Sequence, residues 1–113
     1  MSFPVVLPID ETKNMLDFLF YLNGTKITVM KSDFENAFNE FMNWRNNISA
    51  TNFSAELFRL MSHADFINAG KFFKGFPEQA IVYSLWENSK TEEQFAAIVK
   101  KYILKEGETE NEL

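Results

Sequence analysis

From residue 31 onward, large apolar side chains recur at three- and four-residue spacing, the signature of amphipathic helices. Ser32-Asp33-Phe34-Glu35 has the form of a capping box, in which the Ser hydroxyl and the Glu carboxylate satisfy free amides of a first helical turn. Phe34, Ala37, Phe38, Phe41 and Met42 follow on one face, with Asn36, Asn39, Glu40 and Asn43 on the other and Asn46-Asn47 as the stop. Asn52 or Ser54 is placed to cap a second helix whose stripe is Phe53, Leu57, Leu60 and Met61, with Phe58 off it. Asp65 caps a third, which carries Phe66, Ala69, Phe72 and Phe73 and closes at Gly75. Pro77 suits the first position of a fourth, turning Ala80, Ile81 and Leu85 inward with Tyr83 and Trp86 beside them. Thr91-Glu92-Glu93-Gln94 is a second capping box, ahead of Phe95, Ile98, Val99, Tyr102 and Ile103.

The N-terminal third is less regular. Pro4 and Pro8 bias their predecessors away from helix, so residues 1–9 read as an extended lead-in. Asp10 or Thr12 then caps an expected helix with Met15, Phe18, Leu19 and Leu22 at helical spacing, widened by Leu16 and Phe20 and ended by Asn23-Gly24. Thr25 to Met30 is β-branched and alternating, which predicts a short strand, and its one evident partner is Phe3 to Leu7. The pattern predicts a mainly α fold: a single compact bundle of about five or six short helices over residues 1–105, with one small two-stranded element near the N-terminus. Residues 106–113 are expected to be an acidic, disordered tail.

Composition narrows the function. With 113 residues there is room for one domain and none for a separate substrate domain. Apolar residues make up 46% and charged residues 24%, which suits a folded globule. Thirteen residues are Phe, more than a core of this size usually needs. The absence of Cys excludes disulfides, thiolate nucleophiles and Cys-ligated metal sites. Met1 to Pro8 is short, lacks a basic start and holds two prolines, so no signal peptide is expected. No apolar run approaches the roughly 18 residues of a membrane span, and a cytoplasmic location follows by default. The three Asn-x-Ser/Thr triplets, beginning at Asn23, Asn47 and Asn52, are then chance matches in an Asn-rich chain. Net charge is −5, yet Glu106, Glu108, Glu110 and Glu112 carry four of the negative charges, leaving residues 1–105 at −1. A nearly neutral body disfavours mimicry of DNA, which needs carboxylates spread over the folded surface.

Candidate chemistry is sparse. His63, the single histidine, stands two residues from Asp65, but Asp65 is wanted as a cap and His63 falls at a helix end where the dipole tolerates its charge. Glu92-Glu93 and Asp10-Glu11 lie in first turns for the same electrostatic reason. Neither a Glu-x-x-His pair nor a calcium-type loop occurs, and four scattered glycines make no phosphate-cradling loop. No catalytic residue, metal or cofactor is therefore expected. A nucleic-acid site would have to use Lys71, Lys74, Lys100, Lys101 and Lys105, a thin set in an acidic chain with two Arg. The pair of short helices from Asp65 to Asn88 imitates a helix-turn-helix, but its second helix offers Glu78, Gln79 and Glu87 to a groove.

What stands out is aromatic surplus. Phe20, Trp44, Phe58, Phe66, Phe76 and Trp86 are the large side chains that one small core is least able to cover, and Phe, Trp and Met are enriched at protein interfaces. The expected function is a non-enzymatic protein–protein interaction or assembly module, binding another protein or itself, with nucleic-acid binding through the Lys set as the rival.

Ala64-Asp65-Phe66-Ile67-Asn68-Ala69-Gly70-Lys71-Phe72-Phe73-Lys74-Gly75-Phe76-Pro77, with Trp86 beyond it, resembles a short cassette of small uncharacterised proteins from phages and mobile elements of low-GC bacteria. The matching features are Ala-Asp, the Asn three residues on, the following Lys and Gly-Phe-Pro. The resemblance covers about a quarter of the chain and implies no activity. It implies a phage accessory protein that engages a host or virion protein.

Overall fold

A computed structural model describes residues 3–20 and 24–102. Leu22, Ile103, Lys105 and the acidic segment 106–113 lie outside the described residues. The chain runs through β1 (Val6–Glu11), β2 (Met15–Phe20), β3 (Lys26–Met30), α1 (Lys31–Asn46), α2 (Phe53–His63), α3 (Phe66–Gly75), α4 (Pro77–Glu87) and α5 (Glu92–Tyr102). The fold is thus mainly helical, with an antiparallel sheet of order β1-β2-β3 at its N-terminal end.

The segment expected as a first helix is the central strand of that sheet. Met15–Phe20 fits both periods, and strand pairing wins because it serves β2 on both edges: Leu7 faces Leu19 on one side, and Ile27 faces Phe18 on the other. Leu16, Phe18 and Val29 point into the core, while Asp17 points out and accepts a 2.7 Å hydrogen bond from the Thr28 hydroxyl. Thr12, expected as a helix cap, closes the β1–β2 turn: its Oγ1 accepts from the Met15 amide, and its own amide donates to the Met15 carbonyl. Gly24 turns the next hairpin with φ +73°, and its amide donates to the Phe20 carbonyl. The expected pairing of Phe3–Leu7 with Thr25–Met30 does not form, because β2 lies between those strands. Pro8, which has no amide to donate, sits on the edge strand β1, and the register shifts between Pro8 and Asp10.

β3 runs directly into α1. The Lys31 amide still pairs with the Asn14 carbonyl, so the helix starts one residue before Ser32, at Met30 as N-cap and without a side-chain cap. The sheet, not the Ser32–Glu35 box, therefore fixes this helix start. The later stops and starts follow the sequence. Asn52 accepts from the Ala55 amide and Asp65 from the Asn68 amide, each at 2.8 Å. Phe76 ends α3 and leads into Pro77, the first residue of α4. Thr91 accepts from the Gln94 amide, while the Gln94 side chain reaches back to the Lys90 amide, one residue earlier than the standard box.

α4 is the axis of the molecule. Ala80 through Leu85 are all buried, as expected of a helix apolar on every side, and α1, α2, α3, α5, β1 and β3 pack around it. Against it lies an aromatic cluster centred on Phe41, whose ring centroid is 5.2–6.4 Å from those of Trp44, Phe58, Tyr83, Trp86 and Phe95. Phe3 reaches the same core from the lead-in and meets Phe72, Phe73 and Tyr83.

Candidate functional site

The core resolves the surplus of phenylalanine. Seven Phe side chains are buried and Phe20, Phe38 and Phe72 pack against the core; the remaining three, Phe53, Phe66 and Phe76, are exposed and all belong to the α2–α3 region. Leu60, 59% exposed, and Ile67, 75% exposed, join them there. Other exposed large apolar side chains, Leu7, Ile9, Met30 and Ile48, are spread over the sheet and the α1–α2 loop.

Local geometry explains why these side chains stay out. α2 buries Ala55, Leu57, Phe58 and Met61, a stripe rotated from the expected one, so Phe53 and Leu60 turn to solvent although the spacing had placed them inward. Arg59 ties the preceding loop to this helix by donating to the Ile48 and Ala50 carbonyls at 2.7 Å, and pairs with Glu56. α3 packs on α4 and buries Ala69 and Phe73, one turn apart, with the Phe73 ring against Phe3 and Phe20, which leaves Phe66 and Ile67 standing clear. The Phe76 ring meets that of Phe53 at 5.9 Å and links the two helices' apolar surfaces.

A hollow lies on each flank of α3. Between α3 and the Phe20 and Ile27 side of the β2–β3 hairpin is a groove of about 670 Å³, with Pro4, Phe20, Ile27, Phe66, Ile67 and Phe73 as its apolar lining and Lys71 and Lys74 at its rim. Between α3 and α2 is a second, of about 500 Å³, bounded by Leu60, Phe72 and Phe76 with His63, Asp65, Asn68 and Lys71. The second hollow brings His63 and Asp65 together, as an acid–base site would require. Asp65, however, is committed to the Asn68 amide, Ser62 donates to the Arg59 carbonyl, and His63 has no hydrogen-bond partner among the described residues. Among the described residues no group of three or more His, Asp or Glu is placed to hold a metal ion.

The six aromatic candidates from sequence fall into two sets. Phe66 and Phe76 are exposed on the ridge, and Phe20 lines its groove. Phe58 and Trp44 are core residues, the latter stacked on Phe58 with centroids 5.9 Å apart, and Trp86 packs on the core beneath Arg45. The expectation that the core leaves Trp44 and Phe58 uncovered is thereby corrected: the Phe41 cluster has room for both. Phe53, Leu60 and Ile67 were missed. The rotated stripe of Ala55, Phe58 and Met61 was the sequence signal available for the first two, and nothing in the pattern singles out Ile67. Of the Lys set, Lys71 and Lys74 border the first groove, Lys100 and Lys101 are exposed on α5, and Lys105 lies outside the described residues. The imitation of a helix-turn-helix fails on α4, whose middle is enclosed by the fold.

A polar seam runs beside the aromatic cluster. Tyr83 is pushed up to about 12 by burial first, then by the neighbouring Glu87 charge, with Arg45 opposing. Glu87 also accepts from the Phe3 amide at 3.1 Å. The Arg45 guanidinium lies 4.7 Å from the Trp86 ring centroid and 5.3 Å from that of Trp44. The seam ties the lead-in to α4 and α1.

The geometry defines a mainly helical domain with a three-stranded meander and an apolar, two-hollowed ridge. No family model, curated protein or solved structure matches the chain. Among the described residues no helix is long and apolar enough to cross a membrane.

Proposed function

We propose that the protein is a non-enzymatic docking module that engages another protein, or a second copy of itself, through the α2–α3 ridge. The observation that carries this reading is that the exposed apolar side chains of the α2–α3 region flank two hollows, Phe66 and Ile67 at one and Leu60 and Phe76 at the other with Phe53 against Phe76, while the other aromatics whose side chains are described are buried or packed on the core. Exposed apolar side chains beside concave hollows are what protein interfaces use, and large side chains in such hollows supply most of their energy. The resemblance of residues 64–77 to phage and mobile-element proteins extends the proposal to an accessory protein acting on a host or virion protein, and Phe76 stands in the matching Gly-Phe-Pro.

The test compares the wild-type chain with a Phe53→Asp, Ile67→Asp variant in light scattering across concentration and in affinity capture from cells. A self-association or a captured protein that the variant loses, with unchanged thermal unfolding, supports the reading. Identical mass and identical capture by both chains would sink it.

A further inference from the structure

The two hollows differ in charge. Among the described residues no carboxylate lines the groove between α3 and the β2–β3 hairpin, although the protein carries 16 acidic residues against 11 basic ones. Lys26, Lys31 and Arg59 are each paired with a carboxylate: Asp17 at 3.9 Å, Glu11 at 3.0 Å and Glu56 at 2.6 Å. Lys71 and Lys74 have no such partner among the described residues. They stand one turn apart on the exposed flank of α3, at the rim of an apolar lining formed by Phe20, Ile27, Phe66 and Phe73. Two free ammonium groups at the rim of an apolar groove, in a protein acidic overall, select a ligand that is both apolar and acidic.

Resting on the docking reading above, we infer that this groove takes an acidic protein segment anchored by bulky apolar side chains. The anchors displace water from the Phe20, Ile27 and Phe73 surface, and the carboxylates lie over Lys71 and Lys74, steering approach and fixing orientation. A nucleic acid is the poorer match. Phosphate recognition gains from a stripe of cations, whereas this groove offers two and an apolar floor. Room on its lining is for aliphatic and aromatic side chains.

The experiment is selection of a random peptide library against the immobilised full chain. Selected peptides are then synthesised, labelled and titrated by fluorescence anisotropy. Peptides rich in Asp and Glu beside Phe, Trp or Leu are expected. Their affinity falls about tenfold on a Lys71→Glu, Lys74→Glu double substitution, is lost on Ile67→Asp, and falls with rising salt. All three positions are exposed, so the variants keep the fold, and their melting curves check it. Peptides without acidic enrichment, or acidic ones bound equally well by the double variant, overturn the inference. If those peptides are still lost on Ile67→Asp, the ridge remains a docking surface and only the partner's chemistry is wrong. Competition by an oligonucleotide assigns the groove to nucleic acid and overturns it too. So does an empty selection with a concentration-dependent mass that Ile67→Asp abolishes, which gives the groove to a second copy. An empty selection with a monomeric chain overturns it as well.

Discussion

The Ser84 hydroxyl, in the enclosed middle of α4, donates a 2.6 Å hydrogen bond to the carbonyl of Pro4, eighty residues earlier in the chain. Ser84 is 1% exposed and lies in an otherwise apolar run, so this bond is what makes a polar residue tolerable there and what seats the lead-in on the core. Ser84→Ala leaves the Pro4 carbonyl facing the interior without its donor, at a cost of about 1–3 kcal/mol. Urea unfolding measures it, with Ser62→Ala as the control: that hydroxyl is exposed, and its loss changes stability by less than about 0.5 kcal/mol.

Tyr83 makes stability pH-dependent on the alkaline side. Its pKa is about 12 in the folded chain against 10.0 for an ordinary phenol, so below pH 10 both states hold the proton and the contribution is complete. Between those values the unfolded chain ionises while the folded one resists, and stability falls. Unfolding midpoints should drop across this interval, and Tyr83→Phe should flatten the drop. A phenolate absorbance titration should show one tyrosine ionising late, near the unfolding transition.

Phe41 is the centre of the aromatic cluster, and its removal leaves five rings without a common neighbour. Phe41→Ala is expected to cost about 3–5 kcal/mol, a large part of the roughly 5–15 kcal/mol that holds such a domain folded. Circular dichroism melts should show a large fall in midpoint or no folded baseline.

The ridge behaves oppositely. Phe53→Asp and Ile67→Asp remove apolar surface that already faces water, so each changes stability by no more than about 0.5 kcal/mol. The same melts that penalise Phe41→Ala should leave these variants near wild type; a strong penalty would mean that the ridge is core.

Asp65→Ala removes the acceptor for the Asn68 amide and costs about 1 kcal/mol, whereas Asp65→Asn keeps an acceptor and costs less. Hydrogen exchange localises the loss to the first turn of α3. Because that turn carries Phe66 and Ile67, affinity for the partner proposed above should fall with it.

Much of this fold is legible in the chain. Asn52, Asp65, Gly75, Pro77 and Thr91 mark their helix boundaries through local chemistry, because a cap or a proline acts on amides within a turn of itself. The β2 segment was illegible by the same measure: Met15–Phe20 satisfies both periods, and its conformation was decided by β1 and β3. Ser32 shows the converse, a good local signal overruled because the Lys31 amide was already committed to the sheet.

The candidate site divides in the same way. The sequence by itself determined that aromatics were in surplus, that most of the chain would be helical, and that Phe66 belonged to a capped helix with a glycine stop, after which Phe76 restarts the chain. Only the tertiary structure decided which aromatics the surplus was. α2 had two possible inward stripes, and packing against α1 and α4 accepted Ala55 and Phe58 beside Leu57 and Met61 rather than Phe53 and Leu60. Burial is a property of neighbours brought from far along the chain, so spacing proposes a face and packing chooses it.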